Sequence, residues 1–269
     1  RFKVPEEVET ILGLPVLGII PKADGNGFEE ALENPRSGIA EAYRSLRTSI
    51  QFSTSRGTPK SIYVTSTKQG EGKSTTSLVL AAKFTQLGLR VLLIDADLRK
   101  PSLHKKMSIS NETGLSNFLI GSSNLADVVQ KTDTPSLDII TTGPLPPNPA
   151  ELLASPRTVD LLRAGGEVYD LLVFDGPPLL GLADSVIMSS LVDTTILVVA
   201  ANDGRKNAAV GALRRLQGSR GRVIGAVFTK FDSRQVGYGY GYGYGYGYGD
   251  YYAYGSNDTK SLSRSTTET

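Results

Sequence analysis

One stretch limits the possible folds more than any other: SIYVTSTKQGEGKSTTSLVLAAKFTQLG, residues 61 to 88. A β-branched apolar run leads into a glycine-rich loop, and the loop opens a helix that Gly88 closes. The alternation recurs along the chain, with RVLLID, YDLLVFDGPP, DTTILVVA and RVIGAVFTK as further apolar runs separated by helical segments. Strands that are apolar at every position are covered on both faces. The expected class is therefore α/β, a mainly parallel sheet with helices on both faces. Ligands in such sheets bind beyond the carboxyl ends of the strands. Three polar loops fall there: TKQGEGKS, the loop opening at Asp95 in DADLRKP, and the loop opening at Asp175 in DGPP.

The first loop has the composition of a phosphate site. Glycines let successive backbone N–H groups close around phosphate oxygens, while a lysine and a hydroxyl at the first helical turn serve the terminal phosphates and Mg²⁺. Gly70, Glu71, Gly72, Lys73, Ser74 and Thr75 supply this set, with Ser74 as the metal hydroxyl. The strict pattern G-x-x-x-x-G-K-[ST] fails at its first position, which is Thr67. Asp175, closing an apolar strand, is a second metal candidate, since a hard cation prefers oxygen ligands. Asp95 and Asp97 stand two apart just past a strand. If the extended conformation persists, they share one face and point into one cleft, one serving the metal and one accepting a proton.

Elsewhere the text is plainer. PEEVETILGLPVLGIIP reads as a short acidic helix start and then an extended segment. Ile39, Ala42, Leu46 and Ile50 fall at helical spacing over about Gly38 to Phe52, with Glu41, Arg44 and Arg47 on the outer side. The prolines of TGPLPPNPAELLASPRTVDLL mark a surface loop before a helix near Ala150. His104 and the basic face around Leu213 to Leu216 read as solvated surface. The 29 Lys and Arg against 27 Asp and Glu give a net charge of +2, so no nucleic acid is expected as partner. The absence of cysteine excludes disulfides, thiolate nucleophiles and sulfur metal sites. No run reaches the roughly 20 apolar residues of a membrane helix. The chain starts at Arg1 without a signal segment and reads as a piece of a longer chain.

Nine of the twelve tyrosines lie between Tyr238 and Tyr254, most of them alternating with glycine. Almost no aliphatic residue follows Asp232, so residues 233–269 are expected to form a disordered, low-complexity tail.

Together these residues resemble the bacterial tyrosine kinases, or BY-kinases, whose catalytic domains are P-loop ATPases of the deviant Walker A, MinD-like type. The resemblance runs to about Asp232 and rests on TSTKQGEGKST as Walker A, VLLIDADLRKP as Walker A′ and LLVFDGPP as Walker B. EAYRSLRT as an E-x-x-R-x-x-R helix, LPPNPAELLAS and the tyrosine-rich end belong to the same set. It implies an Mg-ATP tyrosine autokinase, with ATP and Mg²⁺ as cofactors and catalytic roles for Lys73, Asp95 and Asp97. Asp95 would be the base, and Asp97 and Asp175 would hold magnesium, largely through water. The phosphoacceptors would be Tyr238, Tyr240, Tyr242, Tyr244, Tyr246, Tyr248, Tyr251, Tyr252 and Tyr254, entered in trans from a neighbouring subunit.

The resemblance also implies a homo-oligomeric ring, an octamer by family habit, with Glu41, Arg44 and Arg47 at the interface. Residues 1–37 would be a juxtamembrane segment forming one domain with the kinase domain 38–232. A membrane-spanning N-terminal portion or separate transmembrane activator, and a phosphotyrosine phosphatase, would be its partners. Its place would be the cytoplasmic face of the bacterial plasma membrane, and its task the control of exopolysaccharide or capsule synthesis and export. Each phosphate would add about −1.5 to −2 charges to the tail, ejecting it from an acidic site and loosening the ring. Thr229 departs from the family, which often has an adenine-contacting asparagine there.

Two other readings compete. A ParA/MinD-type partitioning ATPase has nearly the same fold and an extra loop lysine where Lys68 stands, although LRK at Leu98 to Lys100 departs from its pattern. An interaction module with an adhesive Tyr-Gly tail would use the nucleotide site for regulation only.

Overall fold

The computed structural model describes residues 1–232 except 24, 26, 56, 180–182 and 204, with residues 27 and 28 described as backbone only. The expected tail, 233–269, and all nine of its tyrosines lie outside the described residues. One sheet organises the rest. Its strands are β1 (Val16–Pro21), β2 (Ser61–Ser66), β3 (Val91–Asp95), β4 (Val129–Lys131), β5 (Leu137–Ile140), β6 (Leu171–Asp175), β7 (Thr194–Ala200) and β8 (Val223–Phe231). They lie in the order β1-β8-β7-β2-β6-β3-β5-β4. Seven run parallel and only β4, at the edge, pairs antiparallel with β5. The sequence pattern marks β1, β2, β3, β6, β7 and β8, whereas β4 and β5 have three and four residues and show no period.

Eleven helices are described: α1 (Pro5–Leu12), α2 (Gly27–Glu33), α3 (Gly38–Phe52), α4 (Lys73–Thr85), α5 (Leu103–Met107), α6 (Leu115–Leu119), α7 (Leu125–Val128), α8 (Pro149–Leu153), α9 (Pro156–Val168), α10 (Asp184–Leu191) and α11 (Lys206–Gly218). Alternate strand residues face opposite layers. Ile62, Val64, Val91, Leu93 and Val173 pack under α3 and α4 with Tyr43, Leu46, Leu78 and Phe84. Tyr63, Leu92, Ile94 and Phe174 face the other layer with Phe118, Leu161 and Met188. A third cluster joins Phe2, Val8 and Leu213 to Leu197 and Phe228, so α1 and α11 cover the sheet beside β8. The fold is a mainly parallel sheet with helices on both faces.

Local chemistry explains the helix starts. Ser37 caps α3 by accepting the Ala40 N–H at 3.1 Å. Pro149 and Pro156 open α8 and α9 at the position where their missing N–H costs nothing. The helix expected near Ala150 is thus two helices, broken at Ala154. Of the side chains expected on the outer side of α3, Glu41 and Arg44 stay there as a partly exposed pair, while Arg47 turns inward. Arg44 pairs with Glu41 one turn earlier, and its Nε lies 2.8 Å from that carboxylate. Arg47 donates to the Lys83 carbonyl of α4 at 2.8 Å, because the last carbonyls of a helix have no partner of their own.

Candidate active site

The loop between β2 and α4 takes a shape that needs glycine. Gly70 and Gly72 have φ of +85° and +95°, a region that side chains resist. The departure at Thr67 has a physical account, because its hydroxyl donates to both oxygens of the buried Glu71, at 2.8 and 2.9 Å. A glycine there would take the hydroxyl from that carboxylate and leave it backbone N–H groups only, that of Lys68 among them. Burial raises the pKa of Glu71 against these hydrogen bonds. From β8, Thr229 donates to the Glu71 carbonyl and Lys230 to the Gly70 carbonyl, both at 2.6 Å. Thr229 thus belongs to the loop's support. Thr75 follows Ser74 in the first turn of α4 and is half-buried.

Lys73 projects from this loop to meet two others. Its Nζ donates to Asp97 Oδ2 at 3.0 Å and lies 3.8 Å from Asp175 Oδ1. Burial opposes its charge, but Asp175 and Asp97 outweigh that and hold its pKa above the ordinary value. The Ser74 hydroxyl stands 3.2 Å from the same amine. Asp175 is fully buried: Ser77 donates to Oδ1 at 3.2 Å, while Oδ2 has no hydrogen-bond partner. Burial pushes its pKa up despite Lys73.

Asp95 differs from expectation. The chain leaves the extended conformation after it, so Asp95 and Asp97 do not present one face. Asp97 turns to Lys73, whereas Asp95 Oδ2 accepts the N–H groups of Ser102 and Leu103 at the start of α5, and Oδ1 that of Asp97. Free N–H groups at a helix start draw a carboxylate. Asp95 stays beside Asp175, its register partner on β6. Burial and that second carboxylate push its pKa up to about 7.

Lys68 is partly exposed and pairs with Asp203 beyond β7. His104 is half-buried, and its Nδ1 is enclosed without a partner.

The residues fit a magnesium nucleotide. Gly70 to Thr75 offer backbone N–H groups and a helix start to phosphates, and Asp175 Oδ2 is a buried oxygen open to a cation or its water. Among the described residues no three acidic or histidine side chains would hold an ion by themselves. Magnesium there would need further oxygens, as its preference for phosphates and water allows. No described helix is long and apolar enough to cross a membrane.

Known proteins are similar to this chain in sequence and fold. A family model described as an AAA domain matches residues 59–213. Tyrosine-protein kinase YwqD of Bacillus subtilis is 40% identical over 197 residues, covering 73% of this chain and 83% of that protein. Putative tyrosine-protein kinase EpsB of Ralstonia solanacearum is 34% identical over 266 residues, 94% of this chain but 36% of the longer protein. The solved kinase domain of Escherichia coli tyrosine kinase ETK matches with a TM-score of 0.82 at 32% identity, over 90% of this chain and 100% of that domain. A likeness that runs through most of one such enzyme and the whole of another's kinase domain leaves one family, and the chain belongs to the bacterial tyrosine-protein kinases.

Proposed function

We propose that this chain is an Mg-ATP-dependent autokinase that phosphorylates tyrosines of its own C-terminal tail, one subunit acting on another. The carrying observation is the meeting of three loops at one amine: Lys73 contacts Asp97 and Asp175 from the ends of two neighbouring strands. Gly70, Glu71, Gly72, Lys73, Ser74 and Thr75 would hold the phosphates. Ser74 and Asp175, with Asp97 through water, would hold the magnesium. Bound Mg-ATP supplies a transferable phosphoryl group and a divalent charge.

The chain's own residues do the rest. A phenol has pKa about 10, so a base near the acceptor must take the proton that the phenol oxygen gives up. Asp95, whose pKa is raised by its burial and by Asp175, is the base in this proposal. Lys73 balances negative charge in the water-poor cleft. Glycine between the tyrosines of residues 238–248 keeps each phenol thin enough to enter without a fixed sequence around it.

The wider setting belongs to the same proposal. Glu41, Arg44 and Arg47 would join subunits in a ring. EpsB extends far beyond the matched region, which supports a membrane-spanning portion or separate activator acting with this domain. The setting would be the cytoplasmic membrane face, in control of polysaccharide export, with a phosphatase resetting the tail.

The test mixes two chains. Lys73→Met with an intact tail supplies acceptors only, and a chain truncated after Gln235 supplies activity only. Phosphotyrosine between Tyr238 and Tyr254 of the Lys73→Met chain, read by mass spectrometry, supports transfer in trans. Modification of the intact wild type but not of the mixture overturns the trans step alone. ATP hydrolysis with every tyrosine unmodified overturns the kinase reading and favours a partitioning-type ATPase.

A further inference from the structure

The first turn of α10 carries neither a phosphate ligand nor a base, yet two successive residues there each grip one of the acidic loops. Asp184 is completely buried and receives both arms of Arg99, Nε at 2.9 Å and Nη2 at 3.0 Å. Arg99 belongs to the Asp95–Asp97 loop, and Asp97 Oδ1 accepts the backbone N–H groups of Arg99 and Lys100 at 3.3 and 3.0 Å. The other oxygen of Asp97 meets Lys73. Asp184 is thus joined through Arg99 to the carboxylate at the phosphate lysine.

Ser185 grips the second loop. Its hydroxyl donates to the Pro177 carbonyl at 2.9 Å, two residues past Asp175. Thr65 donates to that carbonyl at 2.7 Å, and Tyr63 donates to the Ser185 hydroxyl at 2.9 Å. Gly176 fits only because it has no side chain, since a Cβ there would lie 1.9 Å from the Tyr63 oxygen. The turn after Asp175 therefore rests on α10 and β2 together.

We infer that the start of α10 is a brace that sets the spacing between Asp97 and Asp175, with Asp184, Arg99 and Ser185 as positioning residues for the transfer reaction. The inference rests on the kinase reading for its effect on rate, but the brace itself is a property of the folded chain. A planar guanidinium with two parallel hydrogen bonds fixes both distance and angle, which a lysine in its place does not. Arg99→Ala would strand a buried carboxylate and endanger the fold. Asp184→Asn is the cleaner variant, because Arg99 is partly exposed and tolerates the loss of its partner.

The experiment uses the whole chain and two readouts. Amide hydrogen exchange, without nucleotide, follows residues 96–100 and, in 176–179, the amides of Gly176 and Leu179. Asp184→Asn is expected to speed exchange in 96–100, and Ser185→Ala in 176–179 only. Autophosphorylation with Mg-ATP is expected to lose about 10- to 100-fold in kcat for Asp184→Asn, the scale of a small misplacement at a reacting centre. ADP affinity should stay near wild type, and Arg99→Lys should keep part of the rate. Unchanged exchange in both loops overturns the brace, as does loosening across the whole sheet with loss of ADP binding, which would mark a merely structural pair. If wild type transfers no phosphate to tyrosine, the kinase reading falls while the exchange data still decide the brace.

Discussion

Lys73 owes its place to two carboxylates from different strand ends, so its loss leaves Asp97 and Asp175 facing each other without a cation. Lys73→Met is expected to cut tail phosphotyrosine by at least about 100-fold, as removing one preorganised charge partner does elsewhere; quantitative mass spectrometry checks this, and wild-type levels would exclude Lys73 from the chemistry. Asp95 gives a second prediction. Its folded pKa, about 7, lies above the ordinary 3.8, so between those values the folded chain holds a proton that the unfolded chain has released. Stability of the metal-free protein therefore falls as pH rises from about 4 to about 7, and Asp95→Asn should flatten that slope. Urea unfolding at several pH values measures it, and equal slopes would refute the assignment. At this scale the sequence marked the candidate residues but not whom they touch. Gly70, Gly72, Lys73, Asp97 and Asp175 were readable from type and position. The service of Thr67 to Glu71, and the turning of Asp95 toward α5, depend on loop geometry that no periodicity records.

Elements were legible in proportion to their length and regularity. The buried apolar strands β2, β3, β6, β7 and β8 announce themselves, and α3 shows its face through Ile39, Ala42, Leu46 and Ile50. Residues 101–142 stayed unread because α5 and α6 have five residues each and β5 only four, too few to display a period. The outward placing of Arg47 failed for another reason: a long cationic side chain folds back onto a neighbouring helix's carbonyl, which a helical wheel does not contain. Arg47→Ala should therefore destabilise the domain by about 1 to 2 kcal/mol through the uncapped Lys83 carbonyl, measured by chemical denaturation. No change would show that water replaces the guanidinium at no cost.

At the level of the whole molecule, the proposed ring would have to recruit residues already engaged within one chain, since Glu41 holds Arg44 and Arg47 caps α4. Arg44→Ala is expected to shift the native mass toward smaller species, read by native mass spectrometry, and an unchanged mass would remove this helix from the interface. The sheet order adds a limit on reach. The last strand, β8, stops at Phe231 on the same edge as the phosphate loop, four strand spacings from β3 and its Asp95, about 19 Å at the usual 4.8 Å per strand. Tyr238 lies 7 positions past Phe231 and Tyr254 lies 23 positions past it, or at most about 25 Å and 80 Å of chain. The nearest tyrosine is thus on so short a tether that only an almost straight path would bring it to its own cleft, while the farthest has slack enough for a neighbour's.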